Sequence, residues 1–95
     1  MKKLRKWLNE QHIEWFDDSD RPGVVRKKYE ICRTKFEING YGFSVIHGFG
    51  TYGGKRVYKD VYKDRGLLEC SISENEPVGY LTAEDVIKLI KEKQK

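Results

Sequence analysis

The dipeptide Asn39-Gly40, set between EICRTKFEI and YGFSVIHGF, constrains this chain more than any other feature. Both central residues of a type I′ turn need positive φ, which Asn tolerates and Gly adopts freely, so Asn-Gly between two runs of alternating polarity predicts a two-residue β-hairpin. The returning strand, YGFSVIHGF, puts Tyr41, Phe43, Val45 and His47 on one face and Ser44 and Ile46 on the other. The incoming run from Val24 to Ile38 alternates imperfectly: Tyr29 and Ile31 share one parity, Phe36 and Ile38 the opposite. A bulge or twist near Arg33 to Lys35 would reconcile its halves.

Helices are expected at both ends. In KKLRKWLNEQHI, Leu4, Trp7 and Leu8 fall at i, i+3 and i+4, one apolar stripe on a short helix that ends near Gln11 or His12. Ile13 and Trp15 suggest a brief extended stretch before the turn residues of DDSDRPG. In YLTAEDVIKLIKEKQK, Thr82 is placed to be N-cap with Asp85 at N3, and Leu81 and Val86 take the staple positions. Val86, Ile87, Leu89 and Ile90 form its buried stripe. Between them, LLECSI reads as a strand with Leu68, Cys70 and Ile72 inward, SENEPVG as a loop, and KRVYKDVYKD as an exposed strand or hairpin arm. The expected fold is a two-layer α+β domain spanning residues 1–95: an N-terminal helix, an antiparallel sheet of three or four strands, and a C-terminal helix.

Composition narrows the function classes. The chain has 95 residues, room for a single small core. Its 12 aromatics (two Trp, six Tyr, four Phe) argue against disorder despite 36% charged residues. A net charge of +4 is too low for a dedicated DNA-coating protein, but the cations cluster at Lys2, Lys3, Arg5 and Lys6, at Arg26, Lys27 and Lys28, and at Lys55 and Arg56. No run approaches the roughly 20 apolar residues of a membrane span, and MKKLRKWLNEQ lacks the apolar core of a signal peptide, so a cytoplasmic protein with no membrane partner is expected. Cys32 and Cys70 form no CxxC pair and have no nearby His ligand, and read as core or strand residues. No cofactor or metal site is signalled.

Gly48, Gly50 and Gly53 meet the G-x-G-x-x-G spacing of dinucleotide loops. Lys55-Arg56-Val57-Tyr58 is no capped helix start, however, and a Rossmann unit would not fit in this length. The P-loop pattern fails as well, because Gly53 is followed by Gly54 rather than Lys and Ser or Thr. Two compatible readings remain: glycines that permit a tight, bulged turn, and a loop that displays Phe49, Thr51, Tyr52, Lys55 and Arg56 as a contact surface. With Arg26, Lys27 and Lys28, and with His47 and Tyr58 on neighbouring strands, these form the expected binding residues. His12 and His47 have no nucleophile pattern beside them, and Asp17, Asp18 and Asp20 lack the spacing of a calcium loop. Neither a catalytic set nor an RNP, cold-shock or KH signature is present.

The combination of KLRKWLNEQHIEW, GFSVIHGFGTYGG and GLLE with EPVGYLTAEDVIKLI resembles short proteins carried by bacteriophages and prophages of Gram-positive bacteria. That resemblance implies a class of tasks and carries over no functional residue. Three readings follow, in this order: a non-enzymatic protein that binds a host protein or defence complex, as anti-CRISPR inhibitors do; a nucleic-acid or nucleotide binder using the basic and aromatic residues; and a metal-dependent nuclease, which needs Asp17, Asp18, Glu37 and Glu69 to converge. An edge strand such as VYKDVY would suit a homodimer, although its alternating charges equally protect an edge.

Overall fold

The computed structural model describes residues 1–20, 31–48 and 67–95. Along the chain run α1 (Lys2–Glu10), β1 (Trp15–Asp17), β2 (Ile31–Ile38), β3 (Tyr41–Gly48), β4 (Leu68–Ile72), β5 (Val78–Leu81) and α2 (Ala83–Gln94). The five strands form one antiparallel sheet in the order β1-β2-β3-β4-β5. Helix, antiparallel sheet and helix are the α+β architecture expected, with five strands in place of three or four.

The hairpin forms as its turn residues require. Asn39 and Gly40 have φ of 48° and 84°, and β2 pairs with β3 from Ile31↔Gly48 to Ile38↔Tyr41 without a break in register. The bulge anticipated near Arg33 to Lys35 is therefore absent. The inward face of β2 is Cys32, Thr34, Phe36 and Ile38, all buried, while Ile31 lies with the opposite parity. Thr34 is the residue that disguises the pattern, a polar side chain at 0% exposure among apolar neighbours. Phe43, Val45 and His47 face inward on β3, and Phe36 stacks on its cross-strand partner Phe43 with ring centroids 5.0 Å apart.

Both helices contribute to the core that lies on this inward face. Leu4 and Leu8 of α1 and Val86 and Ile90 of α2 are fully buried, clustered with Phe36, Phe43, Val45, Leu68 and Cys70. Apolar positions at i and i+4 on each helix supply one buried stripe, and apart from Arg5, which turns toward the sheet, the polar residues of α1 face outward. α2 begins with the expected capping box: the Asp85 N–H donates to Thr82 Oγ1 at 3.2 Å and the Thr82 N–H to Asp85 Oδ2 at 2.9 Å.

α1 ends in a Schellman motif, with the His12 N–H donating to the Asn9 carbonyl and the Ile13 N–H to that of Leu8. His12 takes the left-handed position at φ 57°, where glycine is usual. The supposed loop SENEPVG also holds part of a strand. β5 is irregular, pairing Leu68↔Leu81 and Cys70↔Val78, so that Gly79 and Tyr80 together oppose one residue of β4. Tyr80 sits there at φ 59°, a bulge conformation that costs an aromatic residue backbone strain.

Candidate binding surface

Of the ten binding residues expected from the sequence, only His47 lies among the described residues. Arg26, Lys27, Lys28, Phe49, Thr51, Tyr52, Lys55, Arg56 and Tyr58 lie outside them, as does the segment KRVYKDVYKD. His47 is 2% exposed, and its Nδ1 is 3.0 Å from the Leu67 carbonyl oxygen. A carbonyl only accepts, so that ring nitrogen carries the proton. The residue packs in the interior, where it ties the end of β3 to the residue preceding β4. Gly48 has φ 152°, a conformation side chains rarely adopt, so the first glycine of the run is required by the backbone itself.

The topology gathers the attachment points of the other nine. The Asp20 N–H donates to the Ile31 carbonyl at 3.0 Å, Ile31 pairs with Gly48, and the His47 ring reaches Leu67. Residues 20, 31, 48 and 67, which bound segments 21–30 and 49–66, thus share one end of the sheet. Those segments hold nine of the chain's 19 Lys and Arg but only three of its 15 Asp and Glu, so the described residues carry an excess of acid. Both helices start toward this end: the lining of one cavity joins Met1 and Lys3 of α1 with Thr82 and Glu84 of α2 around Leu67 and Leu68. The partial positive charge of two helix N-termini has the same sign as the attached cations.

A second polar constellation ties α1 to the sheet. Arg5, its side chain 17% exposed, donates from Nε to Thr34 Oγ1 at 2.8 Å and from Nη2 to the Arg33 carbonyl at 3.2 Å. It also pairs with Asp17 at 3.2 Å and lies 4.7 Å over the Trp15 ring. The Trp15 indole N–H donates to Asn9 Oδ1 at 2.8 Å. Partial burial of Asp17 opposes ionisation, but hydrogen bonds from Ser19 and the Arg5 guanidinium outweigh it and hold the carboxyl below its usual range. Asp18 is held down by the Lys35 ammonium at 3.0 Å, with Arg33 at 3.6 Å.

Burial raises the Cys32 thiol against the opposing pull of Ser19 and Arg5, and pushes Cys70 up to about 12. Both thiols are protonated at neutral pH and poor nucleophiles. The carboxylates on which a nuclease reading depends do not converge: Asp17 is taken by Arg5, Asp18 by Lys35, Glu37 lies near the hairpin turn, and Glu69 is on β4, with β3 in between. Among the described residues no three His, Cys, Asp or Glu gather as a metal site, and no helix is long and apolar enough to cross a membrane.

The chain matches no protein-family model, no curated protein and no solved structure.

Proposed function

We propose that this chain is a non-enzymatic binding protein that recognises an acidic surface on another protein, through the end of the sheet to which segments 21–30 and 49–66 are attached. One observation carries the reading: the chain ends bounding both cation-rich segments meet where Ile31 pairs with Gly48 and His47 reaches Leu67. Charges tethered together act together, because a cluster of one sign steers an oppositely charged partner and sets its orientation. The buried sheet and the two helices anchoring it serve as a scaffold, with the contact residues carried on its connections. The phage-like sequence makes a host protein or defence complex the partner of choice.

The test is capture from host lysate by the intact chain, compared with Arg26→Glu/Lys27→Glu/Lys28→Glu and Lys55→Glu/Arg56→Glu variants. The reading expects one defined partner, lost in both variants while the fold is kept, as circular dichroism would report. Capture that is indifferent to both charge reversals would refute it. A nucleic-acid reading keeps second place on a specific observation. Lys28-Tyr29, Arg56-Val57-Tyr58-Lys59 and Tyr62-Lys63 interleave cations with rings that can stack on bases. That reading requires binding to single-stranded DNA or RNA that weakens steeply and log-linearly with salt.

A further inference from the structure

The turn that sets the hairpin register also carries a chemical liability. Asparagine is a thermolabile residue, because the next backbone nitrogen can attack its side-chain amide, and a glycine in that next position puts no side chain in the way. The chain has three asparagines with different followers: Glu10 after Asn9, Glu76 after Asn75, and Gly40 after Asn39.

The fold leaves the third pair accessible. Asn39 and Gly40 are both exposed, and nothing stands within 4 Å of a Cβ added at Gly40. The hairpin ladder closes at Ile38↔Tyr41, so the Gly40 N–H belongs to none of its pairs. The Asn39 amide is held by a hydrogen bond from Nδ2 to the Lys93 carbonyl at 2.8 Å. One neutral bond at an exposed residue restrains that amide only weakly.

The same bond has a structural task. Lys93 lies in the last turn of α2, where carbonyls find no partner within the helix. Asn39 caps that turn from 54 positions away, and the Lys93 ammonium, 4.5 Å over the Tyr41 ring, makes a second tie between the helix end and the hairpin.

We propose that Asn39 is a site of spontaneous deamidation and that its product releases the end of α2. The Gly40 nitrogen gives its proton to hydroxide and attacks Asn39 Cγ. The new N–C bond closes a succinimide ring as the Cγ–Nδ2 bond breaks, and Nδ2 takes a proton from water and leaves as ammonia. Water then opens the ring at either carbonyl, giving aspartate or isoaspartate with no change of oxidation state. Aspartate tolerates the left-handed backbone, so the turn persists. Its carboxylate only accepts, however, and cannot donate to the Lys93 carbonyl. The new charge also opposes the negative end of the helix dipole. Isoaspartate does further damage: it routes the main chain through Cβ and lengthens a turn whose two-residue geometry matches the twist of the strands.

The test follows the intact chain by mass in mildly alkaline buffer, with peptide mapping that separates aspartyl from isoaspartyl products. We expect the mass gain of an amide becoming an acid, confined to the peptide holding Asn39, with one ammonia released per conversion and a rate that rises with pH. Asn9 and Asn75 should stay intact over the same interval. Gly40→Ala should slow the conversion several-fold; because Gly40 sits at φ 84°, that variant is compared with the parent in urea, where shielding acts without the fold. Asn39→Asp should raise amide hydrogen exchange in the last turn of α2 several-fold and leave that of Ile38 and Tyr41 unchanged. Conversion in urea but not in the folded chain would overturn the site, as would conversion spread equally over the three asparagines. Equal rates for parent and Gly40→Ala in urea would overturn the succinimide route. Unchanged exchange at the end of α2 in Asn39→Asp would overturn the release.

Discussion

His12 shows how much a single backbone position contributes. Its φ of 57° is the left-handed C′ position of the Schellman motif, which a Cβ makes costly and glycine occupies without penalty. His12→Gly should therefore stabilise the protein by up to about 1 kcal/mol, read as a higher urea midpoint at unchanged slope. Arg5 makes the converse case. Truncation to alanine strips Thr34 Oγ1 of its donor at 0% exposure, frees Asp17 and uncovers Trp15. A buried hydroxyl that loses its partner costs about 1–3 kcal/mol. Arg5→Ala should fall in that range, and the Arg5→Ala/Thr34→Val pair should recover part of the loss in a double-mutant cycle.

The carboxylates and thiols give a pH signature of defined sign. Asp17 and Asp18 have folded-state values below those of the unfolded chain, so their contribution is present above about 3.8 and is lost as pH falls through the folded values. Cys70 shifts upward, so its contribution is intact below the unfolded value near 9 and declines as pH rises toward about 12. Denaturant midpoints measured from pH 2 to 11 should fall at both extremes, with the acid limb flatter in Asp17→Asn. Both thiols should resist a disulfide reagent in the native state and react fully in denaturant.

At the scale of elements, the two helices start differently. α2 has the Thr82–Asp85 box and acids in its first turn, and Thr82→Ala should cost about 1 kcal/mol, again measured by urea unfolding. α1 has no side-chain cap and no acid in its first turn, and is held by Leu4, Leu8 and the Arg5 bonds instead. Local rules thus identify α2 fully and α1 by its apolar stripe alone. β5 escapes them. Its four residues include Gly79 and the positive-φ Tyr80, and its solvent-facing positions are the large side chains Val78 and Tyr80, 53% and 68% exposed, so the polar-out, apolar-in sequence pattern that marks a strand is missing. β2 was legible as a strand but not in its parity, since Ile31 reads as inward until Thr34 finds a donor on another element.

At the scale of the whole molecule, antiparallel connectivity brings the chain ends that bound the basic segments to one end of the sheet. The Asn39-Gly40 turn and the Ser73–Glu76 connection lie at one end, and the attachment points of the basic segments lie at the other. Binding at the attachment end should accordingly weaken as salt rises past the point where the Debye length, about 8 Å at 0.15 M, falls below the span of the cluster. The urea midpoint should change far less over the same range, because the core is apolar.

The sequence by itself determined the hairpin turn, the cap of α2, the apolar stripes of both helices and the α+β class, because each depends on interactions within a few residues. Only the tertiary structure decided that Thr34 is satisfied by Arg5 across 29 positions, that His47 is interior, and that Val78–Leu81 joins the sheet. Those depend on strand register and on which helix lies over which row of the sheet. They are set by long-range packing, which local spacing in one sequence does not encode.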